Sequence, residues 1–192
     1  MILGGLSTLS FAQWPDYGEQ DAPAGFEAYA LASGMRTIDA SGTVVIKNPG
    51  PNQNSPWTPS GLASGVRTGL VWRKENVGLI ADLGYHAYSD RTGSTSMAPL
   101  MLGVRVYSHE QFRVSFFAEG MGGAYRWTVN SGTDSFTDIK GIAAAGGGMD
   151  VRLTHRLVWR VFELQLAIAG ARNSPLLSGG PSTGLAYRFG GH

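Results

Sequence analysis

The side chains that most often carry out catalysis are scarce in this chain. The sequence has four histidines and no cysteine, which excludes thiol catalysis, disulfides and cysteine-ligated zinc. His86 and Ser89 form the nearest candidate catalytic pair, but residues three positions apart on a strand point to opposite faces. The glycine-rich stretch 145–148 lacks the lysine and hydroxyl residue that follow in a phosphate-binding loop. We therefore expect no catalytic, cofactor-binding or metal-binding site.

A second set of polar side chains recurs singly within apolar segments. Its members are Glu27, Arg67, Asp82, Arg105, Glu119, Lys140, Asp150, Glu163 and Arg188, with Arg113 nearer the end of a segment. The set contains five acids and five bases. Charges enclosed in a narrow space must balance, because an unpaired buried ion costs several kcal/mol. We therefore predict that these side chains form a charge network inside a closed structure.

The elements that would position this network are β-strands. Segments of about ten to sixteen residues alternate in polarity and are bounded by turn residues. Candidate strands run near 25–35, 61–73, 76–89, 97–108, 111–128, 139–152, 157–171 and 181–190. Glycine, at 28 residues, has about twice its usual share, which favours strands and turns over helices. No apolar run reaches the 18 or so residues of a spanning helix.

The connections between these segments alternate in length. Long connections span 36–60, 90–96, 129–138 and 172–180, and short ones lie around 74–76, 109–110 and 154–156. This alternation is typical of an even-stranded barrel with both ends in the periplasm. The sequence therefore predicts an all-β fold, an eight-stranded antiparallel up-and-down transmembrane barrel with short periplasmic turns and longer extracellular loops. Such a barrel leaves an interior just wide enough for side chains.

Alternation along the strands predicts which face meets lipid. Leu100, Leu102 and Val104 share one face of their segment, and Met101 and Arg105 share the other. A soluble sheet would show the same alternation. The polar face, however, is short of Lys, Glu and Asp for a surface in water, since charged residues are only 15% of the chain. We therefore expect the apolar face to meet lipid and the polar face to line the lumen.

The segment 157–171 does not fit one register. Arg160 is out of phase with Glu163 and Gln165. A β-bulge near Val161 would restore the phase; alternatively, Arg160 lies at the membrane interface.

The N-terminal residues resemble an export signal. Residues 1–12 are apolar and small, and Ser10 and Ala12 occupy the positions that a signal peptidase accepts before Gln13. The positive n-region is missing, so this stretch is either the end of a longer signal peptide or an ordinary apolar strand start. We predict a truncated signal peptide at 1–12, a periplasmic lead-in at 13–24 and the barrel at 25–192.

Three stretches resemble a known family. SGLASGVRTGLVWRKENVGLIADLGYHAYSD from Ser60 and GIAAAGGGMDVRLTHRLVWRVFELQLAIAGAR from Gly141 look like hairpins of small outer-membrane barrels in the OmpA-like superfamily. The last strand resembles the family's assembly signal, carried here by Ser182, Gly184, Tyr187 and Phe189. The resemblance implies recognition of this strand by the barrel-assembly machinery. The sequence departs from the family pattern in two ways: residues 190–192 follow the terminal aromatic residue, and no peptidoglycan-binding domain is present. We therefore do not expect the tethering role of full-length family members here.

These observations predict an integral protein of the outer membrane of a Gram-negative-type bacterium. Its expected role is structural, adhesive or weakly conducting, with porin-like only as a superfamily label, and its expected partners are outer-membrane lipid and lipopolysaccharide. The loop 36–60 is a candidate site for a surface ligand. A formal charge of +1 gives no basic patch for nucleic acid. Two alternatives stay open, a soluble lipocalin-like barrel that binds a ligand and an enzyme that modifies lipid A.

Overall fold

The computed structural model of the chain describes residues 25–38, 62–89, 94–109, 112–131, 134–169 and 176–189. These form one closed antiparallel barrel in which each strand pairs with its sequence neighbours and the last strand pairs with the first. The strands are β1 (Gly25–Ile38), β2 (Leu62–Lys74), β3 (Val77–Ser89), β4 (Ser94–Tyr107), β5 (Val114–Ser131), β6 (Asp134–Arg152), β7 (Leu157–Ala169) and β8 (Leu176–Phe189). The predicted eight-stranded fold is confirmed. The predictions for residues 1–24 and for most of the loop 36–60 lie outside the described residues.

The two ends of the barrel differ in their connections. The β2–β3, β4–β5 and β6–β7 connections lie at one end, which we call the turn end; β1 also starts and β8 also finishes there. The other connections lie at the opposite end, the loop end. No helix in the described part of the chain is long and apolar enough to cross a membrane.

Strands β5 and β6 extend further than the sequence predicted. They pair continuously from Val114 opposite Val151 to Ser131 opposite Asp134, which leaves two residues between them. The predicted long loop 129–138 is therefore wrong. Val129, Phe136 and Thr137 in this segment are residue types that favour strands. The hairpin projects past β7, whose pairing with β6 ends at Ile142.

Strand β8 begins at Leu176, five residues before the predicted start. Residues 176–180 were predicted to belong to the long connection 172–180, but they lie within the strand. A Cβ at Gly180 would lie 1.8 Å from the carbonyl oxygen of Gly34 on β1, so only glycine allows the two strands to approach this closely.

A belt of large apolar side chains covers the outside of the barrel. Leu102, for example, is 65% exposed. The belt also includes Val66, Leu70, Leu79, Leu83, Leu100, Val104, Leu164, Leu166, Ile168 and Leu185. Inward positions on the same strands hold buried residues, so the alternation found in the sequence corresponds to the two faces of the barrel wall.

The aromatic residues near strand ends divide between the two faces. Trp72, Tyr85, Trp159, Tyr187 and Phe189 lie on the outside. Three others point inward: Tyr107 and Tyr125 are buried, and Trp127 is partly buried against the core.

Close strand packing inside the barrel gives a stability prediction. A Cβ at Gly184, on the inner face of β8, would lie 2.1 Å from the carbonyl oxygen of Ala30 on β1. We expect Gly184→Ala to lower the free energy of unfolding by about 1–3 kcal/mol, because the strands must separate to admit the methyl group. Urea titration of the protein in lipid vesicles measures this change.

Gly120→Ala is the matched control. Gly120 faces outward, and a Cβ there would meet nothing within 4 Å. This variant should shift the free energy of unfolding by no more than about 0.5 kcal/mol. Equal losses in the two variants would contradict the steric explanation.

Candidate functional site: a buried ionic cluster

Charged side chains from all eight strands meet inside the barrel. We call this group the ionic cluster; its members are Glu27, Arg67, Asp82, Arg105, Glu119, Asp150, Arg160, Glu163 and Arg188. All are buried except Arg188, whose side chain is 20% exposed at the turn end. Each occupies an inward position of its strand.

Arg67 on β2 joins strands that are not neighbours. Its Nη2 donates to Asp82 Oδ2 at 2.8 Å and its Nε to Asp82 Oδ1 at 3.2 Å, a two-pronged contact that suits the planar guanidinium. Its Nη1 donates to Glu163 on β7. The Tyr29 hydroxyl donates to the same Asp82 carboxylate. One arginine therefore connects the β2–β3 wall to β7.

Arg105 on β4 forms the second centre. Its Nη2 and Nε lie 2.6 Å and 2.9 Å from Glu119 Oε2 on the neighbouring strand. Its Nη2 also lies 3.5 Å from Glu163 Oε2. The guanidinium carbon is 4.3 Å from the centre of the Phe117 ring, a cation–π contact that partly replaces lost hydration.

Arg160 on β7 donates hydrogen bonds to three acids of the cluster. Its Nε and Nη2 donate to the two oxygens of Asp150 at 2.9 Å and 3.1 Å. Its Nη2 also donates to Glu27 and its Nη1 to Glu163, both at 3.2 Å. Arg188 completes the chain of contacts with Nε 3.2 Å from the second oxygen of Glu27.

The cluster contains five carboxylates and four guanidinium groups. The sequence predicted five bases; two of them, Lys140 and Arg113, lie outside the cluster, and Arg160 joins it. Most of its polar atoms are satisfied within the cluster. Two buried atoms, Arg105 Nη1 and Glu119 Oε1, have no hydrogen-bond partner among the described residues, although Glu119 Oε1 lies 4.0 Å from Arg67. Because buried ions are stable only when paired, the cluster fixes the relative positions of the eight strands.

The structure brings together eight of the ten predicted charges. Lys140 and Arg113 lie elsewhere. Lys140 is at an inward position, but it is ten residues from Asp150 on the same strand, a separation of about 33 Å at 3.3 Å per residue. Its Nζ lies 3.5 Å from Asp138 Oδ2, near the ring of Trp127. Arg113 precedes β5 and lies exposed in the turn, with φ of 69°.

Arg160 is the cluster member that was missing from the predicted set. The register of β7 shifts between Arg160 and Glu163 on its β8 side, and Asp150 pairs with Arg160 while Met149 pairs with Phe162 on its β6 side. The predicted bulge at Val161 is thus confirmed. It turns both Arg160 and Glu163 inward despite their odd spacing. The position of Arg160 out of phase with Glu163 and Gln165 was the sequence signal that could have identified it as a member of the cluster.

The histidines do not assemble a reactive centre in the described part of the chain. His86 is buried on the inner face, with Nδ1 3.5 Å from Ser33 Oγ, whereas Ser89 is exposed. His109 and His155 are exposed at the turn end. Within the described ranges, no three His, Asp or Glu side chains are grouped so as to hold a metal ion.

The residues of the resembled assembly signal take two orientations. Ser182 is buried on the inner face, next to β1 and β7. Gly184 lies where a Cβ would come within 2.1 Å of the Ala30 carbonyl oxygen on β1. Tyr187 and Phe189 point outward, with ring centres 4.8 Å apart in an edge-on arrangement.

The closed eight-stranded barrel, apolar outside and ionic inside, has the fold of small outer-membrane barrels. It is similar to neisserial surface protein A, with a TM-score of 0.69, 14% sequence identity, and coverage of 85% of this chain and 97% of that chain. It is also similar to Ail, the attachment invasion locus protein of Yersinia pestis, in complex with the heparin analogue sucrose octasulfate. There the TM-score is 0.57 at 14% identity, covering 86% of this chain and 99% of Ail.

The outer membrane protein OprG from Pseudomonas aeruginosa is a third similar structure. Its TM-score is 0.53 at 11% identity, covering 88% of this chain and 97% of OprG. No protein-family model and no curated protein sequence matches the chain. The likeness therefore lies in the fold.

Proposed function

We propose that this chain is an integral outer-membrane protein whose lumen is closed by the ionic cluster. Its role is to present surface segments on a rigid transmembrane scaffold. The observation that carries the proposal is the inverted polarity of the barrel, with Leu102 and its neighbours exposed while Arg105 and Arg160 are fully buried. Such an arrangement suits a hydrocarbon exterior. Closure of the barrel also gives every strand a hydrogen-bonded neighbour on both sides, so no backbone edge is exposed to lipid.

The soluble lipocalin-like alternative requires the opposite arrangement. A carrier in water would place its apolar side chains around a ligand and its charges outside. Here the outer belt would expose a continuous apolar surface to water, and the interior would hold nine charged groups. The polarity of the wall therefore favours the membrane protein.

The contacts of the cluster support a closed lumen. The cross-lumen pairs from Arg67 and Arg105 to Glu163 bridge the interior between β2, β4 and β7. An eight-stranded barrel has little further space for a pathway. We propose a non-conducting resting state, with a weak conducting role only if these pairs separate.

A role at the cell surface is supported by the hairpin β5–β6, which extends beyond β7 at the loop end. If the turn end faces the periplasm, as the sequence pattern predicts, this hairpin projects outward from the cell. Ail, one of the similar structures, is an attachment invasion locus protein. We propose an adhesive or structural surface role, lipopolysaccharide as the surrounding lipid, and assembly through the outward aromatic residues of β8.

Electrophoresis in SDS tests the insertion. The protein refolded in lipid should migrate as a compact band when unboiled and shift in mobility after boiling. A protein that is fully soluble and folded without detergent would contradict membrane insertion.

Planar-bilayer recording tests closure separately. The wild-type protein should give no steady conductance above the lipid background. Arg105→Ser/Glu119→Ser removes one base and one acid and should produce measurable conductance, because both large side chains are lost without changing the cluster's charge. Equal conductance in wild type and variant would overturn the idea that the cluster closes the lumen.

A further inference from the structure

The turn end of the barrel carries a ring of positive charge. One exposed base lies at each of its three turns: Lys74 at the end of β2, Arg113 between β4 and β5, and Arg156 between β6 and β7. Three further bases, Arg73, Arg152 and Arg188, are half-buried at the same end. We call these six residues the basic rim.

Backbone hydrogen bonds link four of the six rim residues in two pairs. The Arg152 N–H donates to the Arg113 carbonyl at 2.8 Å, and the Arg188 N–H donates to the Arg156 carbonyl at 2.8 Å. The bases are therefore spaced around the barrel mouth by the fold. Such fixed spacing allows several bases to contact a planar layer of negative charge at the same time.

Few acids offset these bases at the turn end. Glu75 lies exposed in the first turn, and the sequence adds Glu110 to the second. Among the described residues, Glu27 and Asp150 are the other nearby acids, and both are already paired within the ionic cluster. Six bases against these acids leave an excess of positive charge, although the formal charge of the whole chain is only +1.

Apolar groups adjoin the rim on its outer side. Trp72, Trp159, Tyr187 and Phe189 are exposed within a few residues of the rim bases, and Arg156 Nη1 lies 3.5 Å from the Tyr187 hydroxyl. Phe112, next to Arg113, is 96% exposed and held at φ of 51°, a conformation that residues other than glycine rarely adopt. Aromatic rings beside cations are typical of the boundary between lipid chains and headgroups.

We propose that the basic rim binds the anionic headgroups of phospholipids in the periplasmic leaflet. This inference rests on the membrane insertion proposed above, which places the rim at headgroup level. Lysine and arginine donate to phosphate oxygens, and arginine does so with two parallel hydrogen bonds. A guanidinium has five donors, so rim arginines that make contacts within the protein keep others for a headgroup.

The test compares stability in two kinds of vesicle. Wild-type protein is refolded into phosphatidylcholine alone and into phosphatidylcholine with about one third phosphatidylglycerol, and its unfolding equilibrium is measured by urea titration. In the presence of phosphatidylglycerol, each of the three exposed bases should shift the unfolding equilibrium toward the folded protein by a factor of about five. Together they predict a shift of up to about 100-fold. High salt should remove most of this gain because it screens exposed charges.

Two matched triple variants assign the effect to one end of the barrel. Lys74→Gln/Arg113→Gln/Arg156→Gln should fold into phosphatidylcholine and lose the response to phosphatidylglycerol. Arg36→Gln/Arg126→Gln/Lys140→Gln removes the same charge at the loop end and should retain the response. If the wild-type protein gives no compact unboiled band in either lipid, the proposed insertion is wrong. A compact wild-type band whose stability does not respond to phosphatidylglycerol would count against the rim alone.

Two other outcomes would overturn the inference because each would identify a different binding partner of the basic rim. Co-sedimentation with purified peptidoglycan that depends on the rim bases, without any lipid response, would identify a cell-wall partner. A lipid response that emerges only after Asp16→Asn/Glu19→Gln/Asp21→Asn would mean that the chain's own acidic residues neutralise the rim.

Discussion

Arg160→Met should lower the free energy of unfolding by about 3–5 kcal/mol, because it leaves buried carboxylates without their cation. Arg160 is fully buried and donates to Asp150, Glu27 and Glu163. Methionine fills similar volume, so the loss arises mainly from charge and hydrogen bonds. Urea titration in vesicles measures the change.

A second variant separates the ionic effect from packing. Arg160→Met/Asp150→Leu removes the arginine and the acid to which it donates twice, and should recover part of the loss. Arg156→Met, in an exposed turn only four residues away, is the position control. In vesicles of phosphatidylcholine alone, it should change stability by no more than about 0.5 kcal/mol. An Arg160→Met variant as stable as the wild type would show that the ionic cluster does not support the barrel.

Leu102→Arg should lower the free energy of unfolding in a bilayer by about 2–4 kcal/mol, the cost of an arginine near the midplane on the lipid face. Leu102 lies in the middle of β4, is 65% exposed and stands between other apolar side chains of the outer belt. The measurement is the same urea titration in vesicles.

Thr137→Arg provides the matched control for this charge. Thr137 is exposed on β6 in the part of the hairpin that projects beyond β7. An arginine there should cost no more than about 1 kcal/mol, because the side chain reaches water or headgroups. If Leu102→Arg were as mild as Thr137→Arg, the outer belt would not face hydrocarbon.

The two large predictions test the two faces of one wall. Arg160→Met removes a charge from the inside, and Leu102→Arg adds one to the outside, yet both should destabilise the protein. In a barrel with water outside, the second change would place an arginine on a solvated surface and be close to neutral. Only a lipid-facing exterior makes both changes costly.

Much of the fold was predictable from the sequence because strand alternation is a local property. The inward and outward positions of β3 and β4 follow from a period of two, and the structure places Asp82 and Arg105 inside and Leu102 outside as expected. Turn residues separate the segments. Single charges within apolar segments therefore predicted which side chains enter the lumen.

The sequence alone could not determine depth along a strand or the partner of each charge. Lys140 and Asp150 have the same parity on β6, but their separation along the strand places only Asp150 in the cluster. The pair Arg67 and Glu163 is separated by 96 positions and forms only when the barrel closes. The bulge at Val161 turns Arg160 inward, and the pairing of β7 with β6 and β8 fixes its position.

Local chemistry therefore determined the strands and their two faces, whereas the tertiary structure decided how far the β5–β6 hairpin extends and which ions meet. The physical reason is that alternation acts between adjacent residues, while register and ion pairing depend on closure of the whole barrel.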